Sequence, residues 1–464
     1  MSQISNVFKS AKPQLAAAAC ILGIAIGACG GGGYGGSGSS GPPPVPAMQF
    51  MPSSIAVGMS SVLTWSATGG TSCMASDSWT GSKPASGMLT VTPTAAGSYK
   101  YTLTCSGGGY GGSSTQSATL MVTAAAGFAA INLAHDTARA GAATVDANLV
   151  NPRGMALGTT TYAWVANNHT ATSTLYDGTG AAQPAGAPLV VNFAAGFLPT
   201  GAVYNGSRDF MVSSAGRSGA ALFLYASEGG SIAGWSQIVD ATHAITMYTD
   251  AHGAVYTGLA IANNGAGNFL YAADFHNGKV DVFNATFVKQ TATASSFTFV
   301  DPTLPAGYAP FGIQALKTGA AGAAQIYVSY AKQSPPGNSG MTGAGLGLVD
   351  VFDTNGKFLS QLVPPGGLLN APWGLALAPA DFGTLSNAVL VGNFGDGKIN
   401  GYDALTGAFI ATVADGTGTA FAAPGLWSIA FGNDWTAALA HNKLFYTAGT
   451  SGEAHGVFGS ISSL

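Results

Sequence analysis

Charged residues are scarce in this 464-residue chain: they make up 7% of it, and the formal net charge is −4. Nucleic-acid binding needs clustered lysine and arginine, so this weak charge argues against a nucleic-acid partner. Apolar residues make up 47% of the chain, which argues against wholesale disorder. Glycine, by contrast, is abundant at 68 residues. Together with many Thr, Ser, Ala and Val residues, this composition predicts short strands joined by tight turns.

Motifs for catalysis and for metal binding are also missing. No HExxH, HxH or CxxC spacing occurs in the chain. The serines Ser213, Ser214 and Ser329 have no G-x-S-x-G frame, so nucleophilic hydrolysis has no sequence support. The sequence therefore indicates architecture more strongly than chemistry.

The N-terminus has the features of an export signal. Lys9 and Lys12 give it positive charge, and the apolar run Leu15–Ala28 of 14 residues is short for a membrane span. The Ile-Gly-Ala sequence before Cys29 resembles a bacterial lipobox, which predicts a lipoprotein signal peptide at 1–28 and lipidation of Cys29. An ordinary signal peptide with a chance cysteine is the alternative. The lipid would anchor an otherwise soluble protein to a membrane.

A Gly/Ser/Pro segment follows the predicted lipidation site. Residues 29–46 begin with glycines and end in Gly41-Pro42-Pro43-Pro44, which predicts a tether that is first flexible and then extended. Gly30, directly after the cysteine, is similar to the pattern of outer-membrane sorting in Gram-negative bacteria. We therefore expect an exported protein held at the outer membrane or cell surface.

Residues 47–123 show four runs with period-two alternation, typical of a small β-sandwich. Cys73 and Cys105 are the cysteines outside the leader, and a single pair in an exported chain predicts a disulfide. Metal binding or thiol catalysis is the weaker alternative. The stretches VLTWSATGG and SYKYTLTCSGGG resemble a bacterial immunoglobulin-like domain, although Trp65 precedes both cysteines instead of lying between them.

One phrase recurs six times after residue 150: a small lead residue followed by apolar ones. The steps between the lead residues are 47, 57, 54, 62 and 54, a period typical of propeller repeats. The six copies are Gly154-Met155-Ala156-Leu157, Gly201-Ala202-Val203-Tyr204, Gly258-Leu259-Ala260-Ile261, Gly312-Ile313-Gln314-Ala315, Gly374-Leu375-Ala376-Leu377 and Ser428-Ile429-Ala430-Phe431.

Each copy continues with an aromatic-rich strand, a turn and an alternating strand. The stretch FLYAADFHNGKVDVF resembles the NHL repeat. The stretches DANLVNPRGMALG, DPTLPAGYAPFGIQAL and LNAPWGLALAPADFG resemble a family of exported, uncharacterised bacterial propellers. The resemblance implies an all-β fold, with a six-bladed NHL-like propeller over 127–464 after the immunoglobulin-like sandwich. The last copy stops near Ile461, so we expect Phe128–Leu133 to supply the missing strand and close the ring.

Polar residues end the second strand of several copies. The positions aligned by sequence are Asn167, Glu228, Asp274, Tyr330, Asn393 and Gly449. Resemblance to six-bladed lactonases implies that Asn167, Glu228, Asp274 and Asn393 hold a cation such as Ca²⁺, for which oxygen ligands are suited. The alternative is that these side chains only shape their own turns.

Two histidines occupy equivalent turns and are candidates for a general base: His276 and His455. Solvent-facing loop histidine is the alternative for both. The insert at 334–345 is either a mobile lid or a neutral expansion. The tryptophans Trp164, Trp235, Trp373 and Trp427 are either core residues or an aromatic floor for a sugar.

These observations favour a binding or interaction module at the cell envelope, with a protein or carbohydrate ligand on the propeller face and no assigned cofactor. A Ca²⁺-dependent hydrolase or lactonase is the alternative. For either function, we expect the functional residues to be those that differ in type between equivalent positions of the six repeats.

Overall fold

The structure is a computed structural model that describes residues 43–57, 59–69, 72–107, 112–123, 127–138, 144–293, 296–318 and 322–464. The predicted signal peptide, Cys29 and most of the tether lie outside the described residues. Strands make up 53% of the chain and helices 2%, which confirms the all-β prediction. No helix among the described residues is long and apolar enough to cross a lipid bilayer.

The first described segment contains eight strands in two sheets. One sheet has the order β1-β3-β6 and the other β2-β8-β7-β4-β5. The strands are β1 (Val45–Met51), β2 (Ser54–Ala56), β3 (Ser61–Thr68), β4 (Ser72–Asp77), β5 (Gly81–Lys83), β6 (Ser86–Val91), β7 (Gly97–Ser106) and β8 (Ser113–Thr123). The immunoglobulin-like identity of this segment stays a prediction.

Contacts divide the chain into two compact units. In the described residues the smaller unit comprises 43–48, 64–87 and 101–117, and the rest of the chain belongs to the larger unit. In the smaller unit, Cys73 and Cys105 lie opposite each other on β4 and β7 and form a disulfide. Trp65 and Trp79 are buried and in edge contact, with ring centroids 5.1 Å apart. Both tryptophans therefore pack in the interior of this unit.

The rest of the chain forms six larger sheets, each built mainly from consecutive antiparallel strands. The first sheet contains β11 (Pro152–Ala156), β12 (Ala163–Asn167), β13 (Thr172–Tyr176) and β14 (Val190–Asn192), and the second contains β15 (Pro199–Tyr204), β18 (Phe223–Ser227), β19 (Ser231–Trp235) and β20 (Ile245–Thr249). The third sheet contains β21 (Tyr256–Asn263), β22 (Asn268–Asp274) and β23 (Lys279–Phe283), and the fourth contains β24 (Tyr308–Leu316), β25 (Gln325–Ser334), β27 (Gly347–Phe352) and β28 (Phe358–Val363). The fifth sheet contains β29 (Pro372–Leu377), β30 (Val389–Asn393), β31 (Ile399–Tyr402) and β32 (Phe409–Thr412).

The sixth sheet combines the two ends of this region. It contains β10 (Thr144–Val145), β9 (Phe128–His135), β35 (His455–Ser463), β34 (Lys443–Thr450) and β33 (Leu426–Phe431), in that order. Two short hairpins complete the strands: β16 (Met211–Ser214) pairs with β17 (Arg217–Ala220), and β26 (Ser339–Gly340) pairs with β25. Short 3-10 turns occupy Gly383–Leu385 and Ala437–Leu439.

The first strands of the six sheets contact one another in a closed cycle. β11 contacts β15, and the contacts continue through β21, β24, β29 and β33 back to β11. Each of the six repeated phrases falls in one of these first strands. The sheets therefore surround a common central channel.

Close approach of neighbouring first strands explains the small lead residues of the phrase. A Cβ atom added to Gly312 would lie 2.0 Å from the carbonyl oxygen of Trp373 on β29, and one added to Gly201 would lie 2.3 Å from the amide nitrogen of Leu259 on β21. Real Cβ atoms do not make such contacts, so a side chain there would force the strands apart. Glycine thus permits the sheets to pack around a narrow axis.

The predicted closing strand is present. β9 pairs antiparallel with β35, the last strand of the chain, from Phe128 opposite Ser463 to His135 opposite Val457. Phe128 is buried and its ring centroid lies 4.8 Å from that of Phe382 in the fifth sheet. The strand thus covers the edge of β35 and anchors itself in a neighbouring sheet.

Candidate functional site

One mouth of the channel lies where the second strands end. Strand register defines the equivalent positions at this mouth. One residue of each second strand is paired there with the residue that lies two positions before the lead residue of the repeated phrase. These positions are Asn167, Ser227, Asp274, Tyr330, Asn393 and Ala448. Register therefore replaces two of the positions aligned by sequence: Ser227 takes the place of Glu228, and Ala448 that of Gly449.

Three of the predicted metal ligands are engaged within their own sheets. Asn167 donates from Nδ2 to Thr174 Oγ1 at 2.9 Å, and Asp274 Oδ2 accepts from Asn277 Nδ2 at 2.8 Å. Asn393 donates from Nδ2 to a carbonyl of the loop before β29, at 2.9 Å. Burial raises the pKa of Asp274, and the hydrogen bonds from Asn277 only partly offset this effect. These contacts are those expected of residues that shape turns.

Glu228, the fourth predicted ligand, has a different partner. It forms an ion pair with Arg153 of the first sheet, and the same guanidinium lies 3.6 Å from Glu453 of the sixth sheet. The guanidinium carbon also lies 4.4 Å from the ring centroid of Trp427. Arg153 is buried, whereas the two glutamates are about one third exposed. One arginine thus connects three sheets at this mouth, and nothing in the local sequence signals it.

The four predicted ligands share no partner among the described contacts. Each is held by a separate set of partners, and the described residues contain no group of three or more His, Cys, Asp or Glu placed to hold a metal ion. Among the four, Asn167 alone has a buried oxygen without a hydrogen-bond partner. Their contacts are structural ones, and the cation site at these residues stays a prediction.

The two candidate bases make structural contacts. His276 Nδ1 lies 2.7 Å from Asn338 Oδ1 of the insert, and His455 Nδ1 lies 2.6 Å from Asp136 Oδ2. Burial opposes ionisation of Asp136, but the hydrogen bonds from His455 and its neighbour hold the pKa of that carboxyl below its usual value. In the described part of the chain no Ser, Thr or Cys side chain is hydrogen-bonded to either histidine. Both histidines thus connect separate segments of the chain, and a role as general base stays a prediction.

The insert and the four tryptophans take structural positions. The insert is a short hairpin in which β26 pairs with the end of β25, and Gly340 lies against Phe311. Trp164, Trp235, Trp373 and Trp427 are each 8% exposed or less. A sugar stacks on an exposed ring face, so these buried rings offer it no floor.

The opposite mouth holds a cavity of about 460 Å³. The fourth residue of every repeated phrase lines it, and all six are half-buried: Leu157, Tyr204, Ile261, Ala315, Leu377 and Phe431. Deeper in the channel lies a small void of about 30 Å³, lined in part by Trp373. Polar and apolar atoms line the larger cavity about equally, and its volume suits a small molecule.

Two polar side chains lie at this cavity, Gln314 and Lys317, both on or next to β24 and both exposed. No carboxylate of the described residues pairs with Lys317. The sequence contained a signal for this site, because the fourth residue of the phrase is apolar in all six copies. The same six side chains also pack against the cores between neighbouring sheets.

Solved structures of limited similarity include two bacterial proteins. A gluconolactonase from Xanthomonas campestris is 12% identical, with 68% of this chain and 89% of that chain covered and a TM-score of 0.41. A protein of unknown function from Bacteroides thetaiotaomicron is 11% identical, with 92% and 99% covered and a TM-score of 0.45. At these scores we draw no functional argument from them.

Relatives in sequence come from a virus. No family model matches the chain. Two uncharacterised proteins of Acanthamoeba polyphaga mimivirus are similar to it: one is 30% identical over 330 residues, covering 69% of this chain and 76% of the relative, and the other is 31% identical over 298 residues, covering 62% and 75%. The bacterial origin implied by the sequence resemblance is not shown by these viral relatives. The chain belongs to the family of these uncharacterised mimivirus proteins.

Proposed function

We propose that the chain is an exported six-bladed propeller that binds a small ligand with an apolar body and an anionic group. The ligand would lie in the cavity lined by the fourth residues of the six phrases. One observation carries the proposal: the fourth residues of the six phrases, which are hydrophobic and half-buried, line a single cavity together with Gln314 and Lys317. A channel that served only as packing would have no need to leave a pocket of about 460 Å³ open at this end.

The chemistry of the lining defines the ligand class. Each buried CH₂ group of a ligand contributes about 0.8 kcal/mol through the hydrophobic effect. Lys317 supplies a positive charge beside Gln314, and it has no competing carboxylate partner among the described residues. A carboxylate on an aliphatic chain satisfies both features.

Binding is favoured over hydrolysis by the contacts of the predicted catalytic groups. The candidate metal ligands are engaged by their own turns or by Arg153, and the candidate bases have no hydrogen-bonded nucleophile. A carbohydrate ligand is disfavoured by the burial of the four tryptophans. We therefore infer a carrier or sensor of an amphiphile rather than a lactonase.

We also propose that the protein is exported and anchored to a membrane by a lipid. The leader sequence ending at Cys29 supports export and lipid anchoring, and the segment 47–123 would act as an immunoglobulin-like spacer. A protein anchored in this way would present the cavity close to a membrane surface. Amphiphiles are concentrated in such a setting, which agrees with the ligand class inferred from the lining.

Filling the cavity should weaken binding. Ala315 has the smallest side chain of the six fourth residues, so Ala315→Trp adds bulk to the lining of the cavity. Because Ala315 also packs against the core between the third and fourth sheets, folding of the variant must be checked by circular dichroism. We expect the affinity for dodecanoate, measured by isothermal titration calorimetry, to fall by at least about 10-fold, since several buried CH₂ groups would lose their contacts.

A matched control is Ala306→Trp, at an exposed position in the loop before β24 and at the opposite end of that strand. This variant should bind dodecanoate like the unaltered protein. Equal binding by Ala315→Trp, with an unchanged circular dichroism spectrum, would contradict the proposal. Turnover of lactones that depends on Ca²⁺ would favour the hydrolase instead.

A further inference from the structure

A carboxylate lies buried without a partner in the fourth sheet. Asp350, on β27, is 0% exposed, and neither of its side-chain oxygens has a hydrogen-bond partner. Asp301 lies beside it, in the loop before β24, and is 6% exposed. Gln361 faces Asp350 across the β27–β28 pair and donates to Asp301 Oδ2 at 3.4 Å. Two buried carboxylates in contact are strongly unfavourable unless something neutralises them.

The third sheet carries the same pair of acids with a cation between them. Asp281 occupies on β23 the register position that Asp350 occupies on β27, and Asp250 precedes β21 as Asp301 precedes β24. Lys289 Nζ lies 2.5 Å from Asp281 Oδ2 and 3.1 Å from Asp250 Oδ2. The ammonium group thus bridges the two carboxylates and completes the site.

No such cation is built into the fourth sheet. Among the described residues, no lysine, arginine or histidine pairs with Asp350 or Asp301. Asp301 instead accepts from Thr303, whose hydroxyl lies 2.7 Å from Oδ1. The fourth sheet therefore has the same pair of carboxylates as the third sheet but no counterpart of Lys289 among the described residues.

We propose that a cation of the Ca²⁺ class binds between Asp301 and Asp350, in the place that the Lys289 ammonium takes in the third sheet. The carboxylates and the amide oxygen of Gln361 provide the hard oxygen ligands that Ca²⁺ prefers, and two carboxylates balance its charge. Pro302 and Thr303 are exposed, so water and the ion reach Asp301 from the surface. Bound there, the ion fixes the loop before β24 to the third strand of the sheet.

A proton is the competitor of this ion. Burial and the adjacent Asp301 carboxylate raise the pKa of Asp350 to about 8, and Tyr330 also lies against this group. Without the ion, the folded state therefore binds more protons than the unfolded state between about pH 4 and about pH 8, and stability falls as the pH rises through that range. The bound ion should remove most of this fall.

The test uses the full chain, freed of metal by a chelator, at pH 8 and constant ionic strength. We expect saturating CaCl₂ to raise the thermal midpoint by about 2–5 °C. Asp350→Asn should abolish the rise, whereas the control Asp396→Asn, which removes a partly exposed surface carboxylate, should retain it.

A second variant supplies the missing cation. Gln361→Lys places an ammonium group across from Asp350, so we expect a higher midpoint without Ca²⁺ and no further rise with it. Equilibrium dialysis of the unaltered chain against Ca²⁺ should find a bound ion that Gln361→Lys excludes. The proposal is overturned if the unaltered chain binds no Ca²⁺ and its midpoint responds to pH alone, or if Gln361→Lys keeps the full Ca²⁺ response.

Discussion

Phe128→Ala is expected to destabilise the ring by about 3–5 kcal/mol, the usual effect of removing a buried phenylalanine. Phe128 begins the closing strand β9, which covers the edge of β35, and its ring packs on Phe382 of the fifth sheet. Loss of the ring therefore creates a void and weakens the strand that closes the cycle. Differential scanning calorimetry should show a large drop in the thermal midpoint.

The same strand offers a matched control. Ile131 also pairs with β35, but its side chain is 57% exposed. Ile131→Ala should change the stability by no more than about 0.5 kcal/mol, because no core contact is lost. Equal effects of the two substitutions would mean that β9 does not anchor the ring through Phe128.

Arg153→Met is expected to lower stability by about 2–4 kcal/mol, since removing one member of a largely buried ion pair leaves the other charges uncompensated. Glu228 and Glu453 would then face each other across the channel mouth, and the ring of Trp427 would lose its cation. Arg153→Lys should not restore stability, because one ammonium group cannot match the planar guanidinium that contacts all three groups. Chemical unfolding in guanidinium chloride measures both variants.

A surface ion pair serves as the control for Arg153. Lys398 Nζ lies 3.7 Å from Asp396 Oδ2, and the two side chains are 46% and 31% exposed, whereas Arg153 is 7% exposed. Lys398→Met should cost no more than about 0.5 kcal/mol. A small effect of Arg153→Met, comparable with this control, would show that the three-sheet contact contributes little to closure.

Much of the fold could be predicted from the sequence, because its repeat has a direct physical cause. Neighbouring first strands approach so closely that Gly312 or Gly201 cannot carry a side chain, and Gly154 and Gly374 are restricted in the same way. The closing strand was predictable because the last repeat ends at its third strand and Phe128–Leu133 lies just upstream of the first repeat. The structure extends that strand to His135.

The equivalence of turn positions could not be read from the sequence. In the second sheet, Ser227 pairs with Pro199, and the turn from Ser227 to Ser231 is one residue shorter than the turn from Asp274 to Lys279. Aligning the ends of the apolar runs therefore places Glu228 where Ser227 lies. Register depends on hydrogen bonds to a partner strand, which composition and periodicity do not report.

The charged mouth and the cavity depend on closure of the cycle. Arg153 and Glu453 are 300 residues apart in the chain, so their proximity follows from ring closure and not from any local motif. The cavity residues were visible as the fourth residue of each phrase, but which way their side chains face depends on the twist of each strand. The sequence pattern thus identifies these residues but not the direction of their side chains.

The central claim is that the cavity at the ends of the first strands binds an amphiphile, and a crystal structure with 12-bromododecanoate tests it most directly. Anomalous scattering locates the bromine. The account predicts a bromine peak inside the cavity near Leu157 and Phe431, with the carboxylate at Lys317. A peak at the mouth that contains Arg153, or none in the channel, would contradict it.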